Sequence, residues 1–364
     1  MDNDNVIVSA EKAIDIIKNG GMIILTDDED RENEGDLVIA SQFITSEHIN
    51  FMAKYCKGLI CVSLTEERCD DLNLRPMVEE NTCKYGTAFT ISVEARQGVL
   101  SGISASDRAL TIKTLIDPKS TNKDIVSPGH TFPLRAKNGG VLVRAGQTEG
   151  SVDLASLAGL YPSGVICEIM DDDGSMARMP RLIEFAKEHN LKITTISDLI
   201  KYRLETEDIV EEIEETASMP SAYGQFKIKG FLNKSDKTEA VALIKGDISG
   251  DEPVLVHVHS QCLTGDIFSS ALCSCGEKLH NGLKTIEEKG RGVLLYIYKD
   301  TSKAGFLSSK EGSFHNNIHS ETNPKGYGFG SICLKKLGLS KIKLISQSSH
   351  AVNSLSSHGL EIVD

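Results

Sequence analysis

Apolar runs of strand length alternate along the chain with segments whose apolar residues recur at helical spacing. Ser9 begins one such helical segment, whose apolar residues between 13 and 17 share a face, and Gly20 ends it. Further runs of strand length occupy 22–26, 37–40, 58–64, 89–95, 141–145 and 164–170, and a helical pattern covers 179–190. This mixture predicts an α+β fold, with mixed α/β layers of sheet and helix around one core.

An acidic segment divides the chain. At 364 residues the protein exceeds the size at which single cores stop growing. The sequence LETEDIVEEIEETASMP, at 204–220, is dense in Glu, which predicts a solvated connecting helix and linker over 205–220. We therefore expect a first domain over 1–204 and a second α/β domain over 221–364. Strand-length runs in the second domain lie at 254–260, 293–298 and 341–346.

Composition excludes several classes of function. The net charge of -13 argues against a nucleic-acid partner, because such proteins need a basic face. No apolar stretch approaches the ~20 residues of a membrane span, and the acidic N-terminal segment is unlike a signal peptide. Nine Cys in such a chain are expected to be thiols or metal ligands rather than disulfides. We therefore expect a cytoplasmic protein.

An acidic loop is the first candidate for chemistry. Residues 27–36, DDEDRENEGD, hold seven carboxylates within ten positions and lie between two apolar runs. A solvated turn is the ordinary explanation of such a loop. Clustered carboxylates repel one another, by about 1 kcal/mol per pair at about 4 Å in water, so a fold that gathers them needs a cation or raised pKa values. Mg²⁺ prefers oxygen ligands of this kind and leaves room for substrate.

Three other positions add candidate chemistry. His130 follows a turn at 127–129, where an imidazole either suits proton transfer or serves only the loop. The segment RAGQTE at 144–149 is expected to end a strand in a Gly-containing turn, whose backbone can wrap an anion. Glu168 lies inside an apolar run, either as a paired core residue or as a general base with a raised pKa.

Five motifs together resemble one family, the 3,4-dihydroxy-2-butanone 4-phosphate synthases. They match it in order and spacing over about residues 8–203: DDEDRENEGD (27–36), SASDRALT (104–111), SPGHTFPLRA (127–136), RAGQTEGSVDLASLAGL (144–160) and ICEIMDDDGSMAR (166–178). The resemblance implies a layered mixed sheet with helices. It also implies conversion of ribulose 5-phosphate to 3,4-dihydroxy-2-butanone 4-phosphate and formate in riboflavin biosynthesis. Mg²⁺ or Mn²⁺ would assist, in an active site near the interface of a homodimer.

The resemblance also implies a role for each matching residue. The catalytic positions are His130, Glu168 and Glu34. The substrate contacts are Arg31, Glu32, Asp36, Arg144, Gly146, Gln147 and Thr148. The metal ligands are Glu32 and Gln147. These residue types suit the reaction, because enediol formation needs a base beside an oxygen-binding metal and loss of water needs an acid.

Gln147 departs from the family pattern, which has His at this place in a G-H-T-E motif. The carbonyl oxygen of Gln can bind Mg²⁺, so we expect the site to keep its activity. The neutral amide cannot change its protonation as an imidazole does.

A three-cysteine pattern marks the second domain, at Cys262, Cys273 and Cys275. Two Cys separated by one residue project to the same side of an extended chain, so both can reach one zinc ion. Ordinary reduced thiols are the alternative. The surrounding string HVHSQCLTGDIFSSALCSCG (257–276) resembles the zinc signature of GTP cyclohydrolase II. In that family a zinc-bound water attacks the guanine ring.

Most substrate positions of the cyclohydrolase family are altered in this chain. Two Arg and one Gln are replaced by His257, Leu272 and Lys278. The family's phosphate segment, catalytic D-x-R-x-Y-G motif and guanine-side turn align with 300–305, 323–328 and 346–349. Asn323 and Lys325 replace the catalytic Asp and Arg, and neither can take over its chemistry. We therefore expect a degenerate domain without GTP cyclohydrolase II activity, whose three thiolates can still retain structural zinc.

Two other hypotheses concern the second domain. In one, the protein is bifunctional and also hydrolyses GTP to the 2,5-diaminopyrimidine ribosyl phosphate, formate and diphosphate. In the other, the domain is a regulatory or assembly module for the lyase. Removing residues 205–364 and comparing oligomeric state and lyase rate would separate the module from an idle appendage.

Overall fold

The chain folds into two units, Met1–Arg203 and Leu204–Asp364. The structure, a computed structural model, describes residues 6–28, 31–213, 217–234, 237–298, 324–345, 355 and 360–363. Sheets and helices of both units confirm the mixed α/β layers expected from the sequence.

A mixed sheet forms the centre of the first unit. Its strands are β1 (Ile23–Thr26), β2 (Gly35–Ala40), β3 (Cys61–Leu64), β4 (Val93–Ala95), β5 (Ile125–Arg135), β6 (Ser163–Glu168) and β7 (Ile193–Thr195). Over the described residues the order is β4-β5-β3-β6-β2-β1-β7. β6 is antiparallel to β2 and β3, β5 is parallel to β3, and β1 is antiparallel to β2 and parallel to β7. The predicted strands at 22–26, 37–40, 58–64 and 164–170 are confirmed by β1, β2, β3 and β6.

Helices cover both faces of this sheet. They are α1 (Ala10–Lys18), α2 (Ser46–Phe51), α3 (Glu66–Asp71), α4 (Ala105–Ile116), α5 (Gln147–Leu157), α6 (Met179–Glu188) and α7 (Ile196–Thr206). α2, α4 and α6 pack on the face that holds Leu37 and Ile39. α1, α5 and α7 pack on the opposite face, with Val38 and Ala40. Successive residues of β2 therefore feed two separate core layers, as the period of a strand requires.

The first helix has the ends that its sequence predicts. The Ser9 hydroxyl accepts the N–H of Lys12 at 3.4 Å, and Ala13 and Ile17 are buried on one face. Gly20, with φ of 81°, turns the chain after the helix, a conformation that favours glycine.

Two strand predictions in the first unit need correction. The apolar run at 141–145 is not a strand, because the chain turns at Gly139 and Gly140, which have φ of 88° and 62°. Val141 then packs into the core on the α5 side of the sheet rather than into the sheet itself. Only Val93–Ala95 of the run at 89–95 is a strand. His130, which was expected to follow a turn, lies inside β5.

The second unit is built on another mixed sheet. Its strands are β8 (Val210–Glu212), β9 (Ala217–Ser221), β10 (Gly224–Asn233), β11 (Glu239–Lys245), β12 (Val254–Ser260), β13 (Gly292–Ile297), β14 (Lys341–Leu344) and β15 (Glu361–Ile362). The described strands follow the order β15-β14-β12-β13-β11-β10-β8, with β9 paired to β10. The helices are α8 (Leu263–Asp266), α9 (Cys275–Lys289) and α10 (Pro324–Lys336). β12, β13 and β14 confirm the three predicted strands. No helix among the described residues of the chain is long and apolar enough to cross a membrane.

The acidic segment 205–220 is not the connecting helix that its charge pattern predicted. α7 ends at Thr206, and β8 and β9 follow, both paired with β10. Ile209 and Val210 are only 6% and 0% exposed. Burial and strand pairing of these two residues outweigh the local helix propensity of the surrounding Glu residues.

This correction predicts a stability effect at Val210. Val210→Ala should lower the free energy of unfolding of the second unit by about 2 kcal/mol, because it removes buried methyl groups and leaves a cavity. Chemical denaturation followed by circular dichroism measures the change. Glu211→Ala, at an exposed neighbour on the same strand, is the control and should cost less than about 0.5 kcal/mol. Equally small effects of both substitutions would show that the segment is solvated after all.

Candidate functional site

The loop after β1 is built around the buried carboxylate of Asp27. Its Oδ2 accepts hydrogen bonds from Arg31 Nη1 at 2.5 Å and from the N–H of Glu32 at 3.2 Å. Its Oδ1 accepts the N–H of Glu34 at 2.9 Å. One carboxylate thus satisfies three donors and holds the acidic loop in its turn. Residues 29–30 of this loop lie outside the described residues.

Arg31 joins the acidic loop to helix α5. Its Nη1 donates to Gln147 Oε1 at 3.0 Å, and its Nη2 lies 3.0 Å from Glu32 Oε1. The Tyr85 hydroxyl donates to the Arg31 carbonyl at 2.7 Å. The side-chain oxygens of Glu32 and Gln147, the two residues expected to bind metal, therefore converge on one guanidinium. The Gln147 Nε2 is buried and has no hydrogen-bond partner in the described part of the chain.

A second guanidinium lies at the first turn of α5. Arg144 Nη1 donates at 2.6 Å to Oε2 of Glu149, which is 1% exposed. A Cβ at Gly146 would lie 2.5 Å from Arg144 Nη1 and 3.0 Å from Arg31 Nη2, so both guanidinium groups pack against this glycine. Gly146 begins α5 without a side-chain cap, and Thr148 is buried in the first turn. Guanidinium groups and helix N-termini can each bind anions, so this place at Gly146 is a candidate anion-binding corner.

Two carboxyl groups face each other where β2 and β6 pair. Asp36 and Glu168 are directly opposed in the antiparallel register, so their side chains share a face. Burial, and then the neighbouring Glu168, raises the pKa of Asp36 well above its usual range. Burial also raises the pKa of Glu168, whose Oε2 accepts the N–H of Leu59 at 2.7 Å. The Cys61 thiol lies close to the pair, and burial, Glu168 and Asp36 raise its pKa.

Glu34 adds a third carboxyl group to this pair. Burial, and then Glu32, raises the pKa of Glu34. Arg178 Nη1 donates to the Glu32 carbonyl at 2.8 Å and also to the Asn33 carbonyl, which secures the backbone beside Glu34. Carboxyl groups that repel one another in a buried site hold a proton more readily than free ones, a property that acid and base catalysis uses.

His130 lies apart from this carboxyl cluster. Strand β3 lies between β5, which carries His130, and β6, which carries Glu168. The His130 side chain is 49% exposed, and its Nδ1 contacts the Glu94 carboxylate. Among the described residues, the His130 side chain makes this one hydrogen bond, to Glu94.

The structure brings most of the expected site residues into one region of the first unit. They are Arg31, Glu32, Glu34, Asp36, Arg144, Gly146, Gln147, Thr148 and Glu168. Sequence reasoning missed four neighbours of this set: Asp27, Cys61, Tyr85 and Glu149. Asp27 and Glu149 lie within the quoted motifs, where their burial was not foreseeable. Tyr85 lies in an irregular segment with no pattern to single it out.

Three cysteines of the second unit converge. The ligand atoms of Cys262, Cys273 and Cys275 all lie within 4.8 Å of one another, and the sulfurs of Cys262 and Cys273 are 3.9 Å apart. The Gly265 N–H donates to Cys262 Sγ at 3.3 Å. A Cβ at Gly265 would lie 2.7 Å from Cys273 Sγ, so the cluster requires glycine there. Three sulfurs at this spacing suit a tetrahedral Zn²⁺ ion.

The cyclohydrolase substrate positions look different in the structure. His257, where that family has Arg, is 6% exposed, and burial followed by His259 lowers its pKa to about 4. It is therefore neutral at pH 7 and lacks the charge of the Arg. Leu272 is 68% exposed and also offers no charge. Residues 300–305, 323 and 346–349, which align with the remaining motifs, lie outside the described residues.

Comparison with known proteins matches both units to families. The profile of the 3,4-dihydroxy-2-butanone 4-phosphate synthase family matches residues 11–202, and that of GTP cyclohydrolase II matches 211–364. The chain is a two-domain member of the 3,4-dihydroxy-2-butanone 4-phosphate synthase family. Riboflavin biosynthesis protein RibBA of Aquifex aeolicus is 50% identical, over 98% of this chain and 91% of that protein. RibBA of Bacillus subtilis is 46% identical, over 97% and 91%.

Solved structures agree with this assignment. RibBX from A. baumannii, described as a two domain 3,4-dihydroxy-2-butanone 4-phosphate synthase, matches 98% of this chain and 100% of its own. The TM-score is 0.77 and the identity 36%. A synthase in complex with two magnesium ions matches 55% of this chain and 98% of its own, with a TM-score of 0.53 and 41% identity. The enzyme prediction is confirmed: residues 11–202 form a 3,4-dihydroxy-2-butanone 4-phosphate synthase domain.

The buried His257 predicts that the second unit loses stability in acid. An unfolded imidazole titrates near pH 6.5, whereas the folded pKa of His257 is lowered to about 4. The unfolded state therefore takes up the proton first, so this stability is present above pH 6.5 and lost as the pH falls towards 4. The loss reaches about 3 kcal/mol at the acid end.

Urea unfolding of the second unit between pH 7 and about pH 4.5 tests this prediction. His257→Phe keeps a ring against Gly282 and should flatten the pH dependence. His280→Phe replaces an exposed imidazole that is hydrogen bonded to Tyr223, and should keep the slope of the unchanged protein. The same slope in His257→Phe as in the unchanged protein would contradict the prediction.

Proposed function

We propose that the first unit converts ribulose 5-phosphate to 3,4-dihydroxy-2-butanone 4-phosphate and formate, in riboflavin biosynthesis. One observation supports this most: the anion-binding corner at Gly146 adjoins the acidic loop, whose partners Asp36 and Glu168 have raised pKa values. A phosphorylated sugar needs both features, a corner for its phosphate and carboxyl groups that move protons on the adjoining carbons.

The phosphate would bind at the first turn of α5. Arg31 and Arg144 offer guanidinium groups on either side of Gly146, and Thr148 lies in the same turn. Guanidinium groups hold phosphate through paired hydrogen bonds, and the helix N-terminus adds its partial positive charge. Glu149 and Asp27, which contact the two Arg side chains, would keep them in place when the corner is empty of substrate.

Glu32 and Gln147 would hold a Mg²⁺ or Mn²⁺ ion. Their side-chain oxygens already converge on one positive group, the Arg31 guanidinium, and both are donor atoms that these cations prefer. Within the described residues, Gln147 Nε2 has no hydrogen-bond partner, so the contact of Oε1 with Arg31 is what orients the amide. The ion would polarise adjacent oxygens of the sugar. A related synthase solved with two magnesium ions supports this proposal.

Carboxyl groups of β2 and β6 would move the protons. Burial, and then the neighbouring Glu168, raises the pKa of Asp36, which favours its protonated form as the donor of a hydrogen bond to a substrate oxygen. Glu168, less fully buried and hydrogen bonded by Leu59, would be the base, with Glu34 in the same acid and base set. Different environments thus separate the roles of neighbouring carboxyl groups.

His130 would act in the site of a second copy of the chain. It is half exposed and separated from Glu168 by strand β3. Leu100 and Ile103 flank Gly102, which packs against Glu94, and are 99% and 52% exposed. Exposed apolar side chains of this size favour burial against another surface. We therefore propose a homodimer whose interface completes each active site. The cytoplasmic location expected from the sequence stays a prediction.

The second unit would not hydrolyse GTP. His257 is buried and neutral where the cyclohydrolase pattern needs Arg, and Leu272 lacks the charge of the second Arg. The description of the full-length relative RibBX names the synthase alone. The three cysteines would retain zinc for structure. The bifunctional alternative is favoured by the relation to RibBA proteins, which match the cyclohydrolase half of the chain as well.

The lyase proposal predicts a metal-dependent activity that relies on Gln147. The unchanged protein with Mg²⁺ should release formate from ribulose 5-phosphate. Gln147→Ala should reduce kcat/KM by about 100-fold, because it removes an oxygen ligand. Gln147→His should stay within about tenfold of the unchanged protein, since an imidazole also binds the metal.

Isothermal titration with Mg²⁺ alone should show weakened binding to Gln147→Ala, independently of turnover. Asn19→Ala, on the exposed end of α1, is the control. A folded protein without turnover would refute the lyase assignment, whereas full activity of Gln147→Ala would refute only the metal-binding role of Gln147.

A separate prediction concerns GTP. The full-length protein should contain about one zinc ion per chain by elemental analysis, and should form no 2,5-diaminopyrimidine product from GTP. Cys273→Ser should lose zinc and lower the stability of the second unit, because three thiolates hold the ion. Formation of the pyrimidine at a rate comparable to formate release from ribulose 5-phosphate would establish the bifunctional enzyme instead.

A further inference from the structure

Glu94 is a partly buried carboxylate that the reaction outlined above does not use. It lies on β4, and its Oε1 contacts Nδ1 of His130 on the neighbouring strand β5. The Glu94 side chain is 17% exposed, whereas that of His130 is 49% exposed. The carboxylate is therefore the more buried partner, and the contact uses Nδ1, which leaves Nε2 as the ring nitrogen that does not contact Glu94.

The strand pairing is interrupted where this contact forms. Val93 pairs with Thr131, whereas Glu94, the next residue, pairs with Val126. The residues of β5 between these two pairs are left without a ladder partner on β4, and His130 is one of them. Irregular pairing of this kind redirects a side chain relative to a regular strand. The Gly129 N–H donates to the Ser92 hydroxyl at 3.2 Å, which ties the irregular stretch to β4.

Two glycines make room for the Glu94 side chain. A Cβ at Gly129 would lie 2.6 Å from Glu94 Cγ, and a Cβ at Gly102 would lie 1.8 Å from Glu94 Oε1. Gly102 has φ of 79°, a conformation that favours glycine. Its loop is held by Asp107, which accepts the Gly102 N–H at 2.9 Å. The Glu94 side chain thus lies between two backbone segments, each of which has glycine where a side chain would clash with it.

We propose that Glu94 is a positioning residue that fixes the orientation and tautomer of His130. A carboxylate accepts a hydrogen bond from Nδ1–H and so keeps the proton on Nδ1, which leaves Nε2 as the nitrogen that exchanges protons with substrate. Without this contact an exposed imidazole rotates freely and populates both tautomers. This inference rests on the catalytic role proposed above for His130. It adds that Glu94, on the paired strand β4, is needed for that role.

Steady-state kinetics on ribulose 5-phosphate with the full-length, Mg²⁺-loaded protein test the proposal. Glu94→Ala should lower kcat by about 100-fold and leave KM within about twofold, since Glu94 touches no substrate. Glu94→Gln should recover part of this loss, because its amide oxygen still accepts the Nδ1–H. Glu11→Ala, on the exposed face of α1, is the matched control for loss of one Glu and should have no effect.

A double substitution separates the two ideas. Glu94→Ala combined with His130→Ala should be no slower than His130→Ala alone, because Glu94 acts through His130. If the two losses multiply, Glu94 acts independently and the inference is wrong. If His130→Ala has full activity, the catalytic role of His130 fails instead. If His130→Ala is slow but Glu94→Ala is not, only the positioning role fails.

The imidazole tautomer gives a readout that a merely structural role would not move. Nitrogen-15 NMR of the unchanged protein, with the His130 signal assigned from the spectrum of His130→Ala, should show the proton on Nδ1. In Glu94→Ala, confirmed as folded by thermal unfolding, the signal should shift to a mixture of tautomers. An unchanged tautomer in that variant would overturn the proposal.

Discussion

Repulsion among carboxylates is the constraint that organises the first unit. The register of β2 and β6 sets Asp36 directly against Glu168, and the acidic loop adds Glu32 and Glu34 nearby. The fold offsets this repulsion in two ways. Protonation relieves part of it, as the raised pKa values show. The guanidinium of Arg31, which Asp27 holds in place, offsets part of the remaining negative charge through its contact with Glu32. The proposed chemistry on a phosphorylated sugar would draw on both, since protonated carboxyl groups can give up protons and a guanidinium can attract an anion.

Sequence patterns predicted the sheet of this unit better than the segments around its site. Apolar runs such as 37–40 became strands, because burial on both faces follows directly from composition. The strand predicted at 141–145 is wrong, because Gly139 and Gly140 turn the chain and Val141 packs against the sheet rather than within it. Motifs located Arg31 and Glu168, but not the residues that hold the two arginines. Tyr85, 54 positions from Arg31, donates to its carbonyl, a contact that only the completed fold makes. Glu149 is five positions from Arg144, and its role as a buried partner follows only from the fold around it.

The second unit shows the same limit of prediction from local sequence. Its acidic entry segment has the composition of a solvated helix, yet Val210 is buried in a strand because β10 supplies a partner. The cysteines at 262, 273 and 275 were predicted as a cluster, and their spacing in the structure agrees. Asp266 supports them, accepting the Cys262 N–H and the Tyr296 hydroxyl, each at 2.8 Å. A cluster of three thiols depends on few residues, and its neighbours Asp266 and Tyr296 also stabilise the fold, so its geometry is readily preserved.

Gln147 fits the charge balance of the first site better than the His it replaces. A protonated imidazole beside Arg31 would add a further positive charge. A neutral imidazole would offer Arg31 a ring nitrogen in place of the amide oxygen. The amide oxygen of Gln147 accepts a hydrogen bond from Arg31, so the proposed ligand is held in place without adding a charge. With Glu32 it also makes the proposed ligand set entirely of oxygen. Oxygen ligands favour Mg²⁺ and Mn²⁺ over the softer divalent ions that imidazole attracts. In the proposed site, Gln147 would therefore narrow the choice of metal without changing the acid and base groups proposed on β2 and β6.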